Sequence, residues 1–195
     1  MNETNQTDRF APLFAELDRR LAGEAPVRLA IEGGSASGKT TLGKILAERY
    51  DCTVFHMDDF FLRSEQRTAA RFAEPGGNVD RERFLAEVLL PLRRGEKVFY
   101  RRFDCASMQL QNAVETAPKK LVVAEGAYSM HPDLAPYYDL SVFLDISPEL
   151  QRKRISRRNT PEKAKRFFAE WIPMEQAYFA AFDISAKCTL RLPIL

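Results

Sequence analysis

The chain has 195 residues, 45% apolar and 29% charged, which fits one globular α/β domain, residues 1–195. Its 29 basic and 27 acidic side chains nearly cancel, to a formal charge of +2, which argues against a general nucleic-acid or membrane-surface binder. No apolar run approaches the roughly 20 residues of a membrane span. Cys52, Cys105 and Cys188 are far apart and form no C-x-x-C pair, as expected in a reducing compartment. Residues 1–8 are polar, lack a signal-peptide core and are expected to be loose, so a soluble cytoplasmic protein is predicted.

Phe10, Leu13, Phe14, Leu17 and Leu21 recur at helical spacing, and Gly23 ends the pattern. This predicts an amphipathic helix in an N-terminal extension, residues 1–23, packed on the domain's own sheet. Residues 27–31 read as a strand. Gly33, Gly34, Ser35, Ala36, Ser37, Gly38, Lys39, Thr40 and Thr41 then fit G-x-x-x-x-G-K-[ST], and 41–50 reads as a helix. Strand, loop, helix is the order a phosphate-binding loop requires. Glycines let the backbone turn tightly, N–H groups converge on a phosphate, and the helix adds its positive end. In that role Lys39 reaches the β- and γ-phosphates, and the Thr40 hydroxyl ligands Mg²⁺.

Residues 53–57 read as a second strand, with Asp58 and Asp59 at its carboxyl end, where ligands of parallel sheets bind. Such carboxylates can bind Mg²⁺ or take a proton from a substrate hydroxyl. The triplet Phe60-Phe61-Leu62 reads as core, with Phe61 also a candidate to line a pocket. Residues 63–79 read as a loop, and Asp80 as the N-cap of a helix through Phe84, Val88 and Leu92 that Gly95 stops. Residues 98–104 form a strand or extended arm. Residues 121–124 form a buried strand ending in Glu125-Gly126, in the manner of a Walker B strand. Residues 140–145 form another, and Ser147-Pro148-Glu149 opens a helix. That helix carries Arg152, Lys153, Arg154, Arg157 and Arg158, a cationic lid over about 152–166 that can close on a transferring phosphoryl group. A long helix is expected over 162–182, kinked at Pro173, with its aromatics in the core. Residues 188–192 read as a last strand.

Taken in order, the loop 33–41, Met57-Asp58-Asp59-Phe60-Phe61, Asn78-Val79-Asp80, Phe103-Asp104, Val123-Ala124-Glu125-Gly126 and 153–158 resemble the uridine kinase-like branch of P-loop kinases. That branch includes nicotinamide riboside kinases and, more distantly, phosphoribulokinase and pantothenate kinase. The likeness spans 27 to about 192. It implies a three-layer P-loop fold with a parallel five-stranded sheet in nucleoside-monophosphate-kinase order, using ATP and Mg²⁺ to phosphorylate a sugar hydroxyl. It implies Lys39, Asp58, Glu125, Arg154 and Arg157 as catalytic residues, with Arg158 beside the nucleotide. Thr40, Asp58 and Glu125 would hold the metal. Asp58, Phe61, Asp80, Phe103 and Met108 would face the acceptor, with Asp80 on ribose hydroxyls. Two positions depart from the family: Phe103 stands for a Tyr, and Met108 stands where uridine kinases place a base-reading His.

The leading expectation is a ribonucleoside 5′-kinase. Kinases of nicotinamide riboside, pantothenate or a phosphorylated sugar stay open, as does a nucleotide-binding regulator without catalysis. A GTPase switch would need an N-K-x-D motif, which the sequence lacks. Near-neutral charge disfavours a nucleic-acid ATPase. Expected partners are a nucleotide and a small molecule, without nucleic acid or membrane; monomer and homo-oligomer are both open.

Overall fold

The computed structural model describes residues 9–195, so the predicted loose start at 1–8 lies outside the described residues. Helix α1 (Ala11–Leu21) turns Leu13, Phe14 and Leu17 to one side and buries them, as the spacing predicts. Each fully buried leucine there contributes about 1.5–3 kcal/mol.

Strand β1 (Val27–Gly33) leads into the phosphate-loop sequence and then helix α2 (Lys39–Arg49). Strand β2 (Cys52–His56) ends in a tight turn, Met57–Phe60. The segment expected to be loop carries a short turn, Ser64–Gln66, and helix α3 (Ala69–Ala73). Thr68 caps α3 by accepting from the Arg71 N–H at 3.1 Å, and the Arg71 guanidinium donates to the Gly77 and Val79 carbonyls. Local side-chain bonds therefore order a stretch whose composition reads as loop.

Helical residues 81–93, α4, begin at the predicted cap, with Asp80 Oδ1 accepting from the Arg83 N–H at 3.1 Å. Strands β3 (Val98–Asp104) and β4 (Gln109–Thr116) form an antiparallel hairpin; β4 was not anticipated, because its residues are mostly exposed and give no apolar run. Strands β5 (Leu121–Glu125) and β6 (Leu140–Ile146) follow, then helix α5 (Pro148–Arg158), capped by Ser147. The expected long helix is split into α6 (Pro161–Arg166), a π-helical turn at Phe167–Trp171, and α7 (Ile172–Phe182). Pro173 sits in the first turn of α7, so the expected kink takes the form of a widened turn just before it. The same pairing occurs in α4, where the π turn Leu85–Leu89 precedes Pro91. A proline lacks the N–H for the i−4 carbonyl and crowds it, and a wider turn relieves both. Helix α8 (Ile184–Lys187) and strand β7 (Leu190–Ile194) complete the chain.

The main sheet is parallel, in the order β2-β5-β1-β6-β7, as the expected P-loop fold requires. Its middle strands are covered on both faces. Leu42 and Leu46 of α2 and the apolar stripe of α1 pack with Leu29, Ile31 and Val123. On the other face Phe84, Val88, Tyr100 and Tyr178 pack with Ala30, Phe55, Val122 and Ala124. Ile31, Glu125 and His56 lie level across three strands. The segments that follow them therefore meet at one edge of the sheet.

Candidate active site

Strand order fixes what each side of that edge can do. Asp58 follows β2, Glu125 ends β5, the phosphate loop follows β1, and the α5 cations follow β6. Acids thus lie to one side of the loop and guanidinium groups to the other. Together they surround a cavity of about 1440 Å³. Pockets for one small ligand run roughly 300–1,000 Å³, so a nucleotide and an acceptor can share this one.

Gly33 has φ of 145°, and a Cβ there would lie 2.6 Å from the Leu144 carbonyl, so only glycine lets the loop leave β1 along this path. The residues Ser35 to Thr41 line the cavity. Gly33 and Gly34 do not; their carbonyls hold the Lys39 ammonium, at 2.7 and 3.0 Å. Ser37 Oγ, within the loop, is buried and has no hydrogen-bond partner among the described residues.

The two adjacent aspartates diverge. Asp58 lines the cavity, whereas Asp59 Oδ2 turns to Arg102 at 3.5 Å, because successive residues of a tight helical turn point apart. Protein surrounding the Asp58 carboxyl pushes it above the usual range, although water of the cavity reaches it; Lys39 opposes the shift and Glu125 adds to it. Glu125 is buried and accepts from Thr40 Oγ1 at 3.0 Å and from His56 Nδ1 at 2.5 Å. That bond raises the His56 imidazole above its ordinary value. No group of three His, Cys, Asp or Glu among the described residues could hold a metal unaided. The oxygens of Thr40, Asp58 and Glu125 are hard donors of the kind Mg²⁺ accepts, completed by phosphate oxygens and water.

Phe61 and Met108 line the cavity, as do Arg154, Arg157 and Arg158. Asp80 and Phe103 do not, and both are buried. Asp80 caps α4, and its second oxygen lies 3.5 Å from Arg83 Nε and 3.7 Å from Arg63 Nε. Phe103 lies under the Arg67 guanidinium, 5.8 Å from the ring centre. Asn78 and Val79, from the same motif as Asp80, do line the cavity.

Several lining residues were not read from the sequence. Arg67, Asn78, Tyr128 and Glu175 are among them. Lys163 and Arg166, also on the cavity, fall within the span expected as a cationic lid; Glu175 sits inside an aromatic pattern that hides it. Of the aromatics on 167–182, Tyr178 is core, whereas Phe167 and Trp171 face the cavity, together with Met174.

Residues 29–166 match the Phosphoribulokinase / Uridine kinase family. A uridine kinase from Clostridium perfringens is 22% identical over 150 residues, covering 72% of this chain and 71% of that protein. A possible uridine kinase from Bacillus stearothermophilus superposes with a TM-score of 0.73 at 20% identity, over 96% of this chain and 99% of its own. A candidate fructose transport system kinase from Silicibacter sp. TM1040 gives 0.70 at 23% identity, over 88% and 91%. At such identities the two solved structures speak for the fold, and acceptors differ within it. With its phosphate loop, its acids across the sheet edge and a family match over most of its length, the chain belongs to the phosphoribulokinase / uridine kinase family of kinases.

Proposed function

We propose that this kinase transfers the γ-phosphoryl group of ATP to a sugar hydroxyl of a ribose-bearing alcohol, a ribonucleoside first among them. The observation that carries the reading is the single cavity in which Lys39, Asp58 and Glu125 face cationic side chains from 154–166. ATP with Mg²⁺ would supply the phosphoryl group with part of its charge already neutralised. The chain's own residues do the rest. Backbone N–H groups of Ser37–Thr41 cradle the phosphates, and Lys39 leaves the Gly33 and Gly34 carbonyls to meet the β- and γ-oxygens. Thr40 and Glu125, already joined by a hydrogen bond, would hold the metal with Asp58. Asp58 takes the acceptor's proton; its raised pKa suits a base that must be free near neutral pH yet hold a proton in the transition state. Arg154, Arg157 and Arg158 offset charge spreading over the transferring group. We read the chain as one such domain, acting in the cytoplasm on a nucleotide and a small molecule.

A second reading, a kinase of a different small alcohol, is favoured by Met108. A thioether gives a nucleobase no donor and only a weak acceptor, and Asp80 is committed to α4 rather than to ribose hydroxyls. ATP consumption measured against uridine, cytidine, 2′-deoxyuridine, nicotinamide riboside, pantothenate and free sugars separates the two. A ribose-bearing compound should speed consumption at least about tenfold over water alone, with little preference among bases. Stimulation by pantothenate or free sugars alone favours the second reading. No stimulation by any of them would leave a nucleotide-binding regulator.

A further inference from the structure

The phosphate loop is gripped by α5, which carries the first lid cations, and by α7, which follows the lid. From α7, Glu175 accepts from the Ser35 backbone N–H through Oε2 at 2.9 Å and from Ser35 Oγ through Oε1 at 2.5 Å. From α5, Gln151 Nε2 donates to the Ser35 carbonyl at 2.9 Å, and Arg154 Nη1 donates to the Ala36 carbonyl at 3.2 Å. The contact is close: a Cβ on Gly34 would lie 2.8 Å from Gln151 Nε2 and 3.6 Å from Glu175 Oε2. Glu175 and Gln151 are both buried, at 4% and 5% exposure.

A carboxylate here is an odd neighbour for a triphosphate. It lines the same cavity as Lys39 and would repel phosphate oxygens. Packing alone does not call for it, since apolar side chains fill such space without a desolvation cost. What it supplies is a two-pronged acceptor that fixes the Ser35 peptide. Once that N–H is held outward, the peptides of Ala36 and beyond are left to face the phosphates.

We infer that Glu175 is a positioning residue that couples occupancy of the phosphate loop to the setting of the lid. The path is short. Glu175 lies on α7, four residues beyond Trp171, the last residue of the π turn, and α6 on the far side of that turn carries Lys163 and Arg166 into the cavity. A shift of Ser35 on phosphate binding would therefore pull on α7 and on the wide turn at the base of the lid. This rests on the reading of the loop as an ATP site, but needs no knowledge of the acceptor.

Trp171 is the chain's single tryptophan and lines the cavity, so its fluorescence reports the turn directly. Binding of ATP and ADP should be measured by calorimetry, alongside Trp171 emission at saturating nucleotide, in wild type, Glu175→Gln, Glu175→Ala and Gln151→Ala. A glutamine can still accept from the Ser35 N–H and donate to Ser35 Oγ, so Glu175→Gln should bind ATP within about threefold of wild type and keep the emission change. Glu175→Ala should weaken ATP binding about tenfold or more, ADP less, and lose most of the emission change even when saturated. Gln151→Ala, which leaves the Glu175 contacts in place, should weaken ATP binding while keeping the emission change. It serves with Glu175→Gln if Glu175→Ala does not fold. If Glu175→Ala binds ATP as tightly as wild type or tighter, repulsion outweighs positioning and the inference fails. It fails also if the emission change survives in Glu175→Ala, or if Glu175→Gln loses it. Wild type that binds no ATP would overturn the ATP-site reading itself.

Discussion

Glu32 is the penultimate residue of β1, fully buried, with four donors around it. Its Oε1 accepts from the Gly33 N–H at 2.9 Å; its Oε2 accepts from the Met130 N–H at 3.0 Å and the Tyr178 hydroxyl at 3.1 Å, with Ser129 Oγ at 3.5 Å. Burial outweighs those bonds and pushes the carboxyl up to about 7. The folded protein therefore holds this proton more tightly than the unfolded chain. The stability it carries is complete below the ordinary carboxylate value of 4.5 and is lost as pH rises through about 7. Over that window it amounts to about 3 kcal/mol. A Glu32→Gln variant should show a flatter melting temperature between pH 5 and pH 8 than wild type. It should also be less stable at pH 5, because whichever way the amide points, one backbone N–H loses its acceptor, at about 1–3 kcal/mol. Equal slopes in both proteins would mean that Glu32 does not titrate in this range. At Lys39 the expectation is catalytic: Lys39→Ala should lower phosphoryl transfer about a hundredfold or more, and near-normal turnover would contradict its place on the β- and γ-phosphates. Residue by residue, the sequence was most readable where one side chain has one job. Lys39 and the glycines are of that kind. Asp80 was harder, since capping a helix and binding ribose ask for the same carboxylate at the same position, and its surroundings chose the cap.

Among the elements, α1 and the helical segment 167–182 illustrate opposite limits of pattern reading. The stripe Phe10, Leu13, Phe14 and Leu17 repeats cleanly, faces one way, and packs where its period predicts, against Leu42, Leu46 and β1. Leu13→Ala should therefore cost about 2–5 kcal/mol of stability, seen as a lower melting temperature, with the Km for ATP unchanged. A loss of ATP affinity without loss of stability would give α1 a part in the site instead. The segment 167–182 reads as apolar with no clear side. Its π turn, Phe167–Trp171, carries Phe167 and Trp171 at its two ends, both on the cavity, and offsets the residues beyond it from an ideal helix, with Met174 on the cavity and Tyr178 in the core. Period 3.6 fails at such a turn, and only the following Pro173 marks it. The hairpin strand β4 escaped for another reason: one face meets water and the other only partly packs, so the alternation that marks a strand is faint.

For the molecule as a whole, the order β2-β5-β1-β6-β7 does the organising. It sets Asp58 and Glu125 on one side of the phosphate loop and α5 on the other, although these residues are far apart in the chain. The strand-loop-helix unit and the acids at strand ends were legible because each is local. Their convergence became legible only through family likeness, and the acceptor's identity did not, because Arg67, Asn78, Tyr128 and Met108 come from separate loops whose meeting no local pattern records. No described helix is long and apolar enough to cross a membrane. The central claim is that the cavity divides its labour, with the phosphate loop binding ATP and Asp58 activating the acceptor. It is tested most directly by Asp58→Asn, comparing the Kd for ATP with the turnover of whichever acceptor stimulates ATP consumption. The amide keeps the size but cannot take the proton. ATP affinity within about threefold of wild type, with turnover down about a hundredfold or more, is the predicted result. Equal losses in affinity and turnover, or unimpaired turnover, would contradict it.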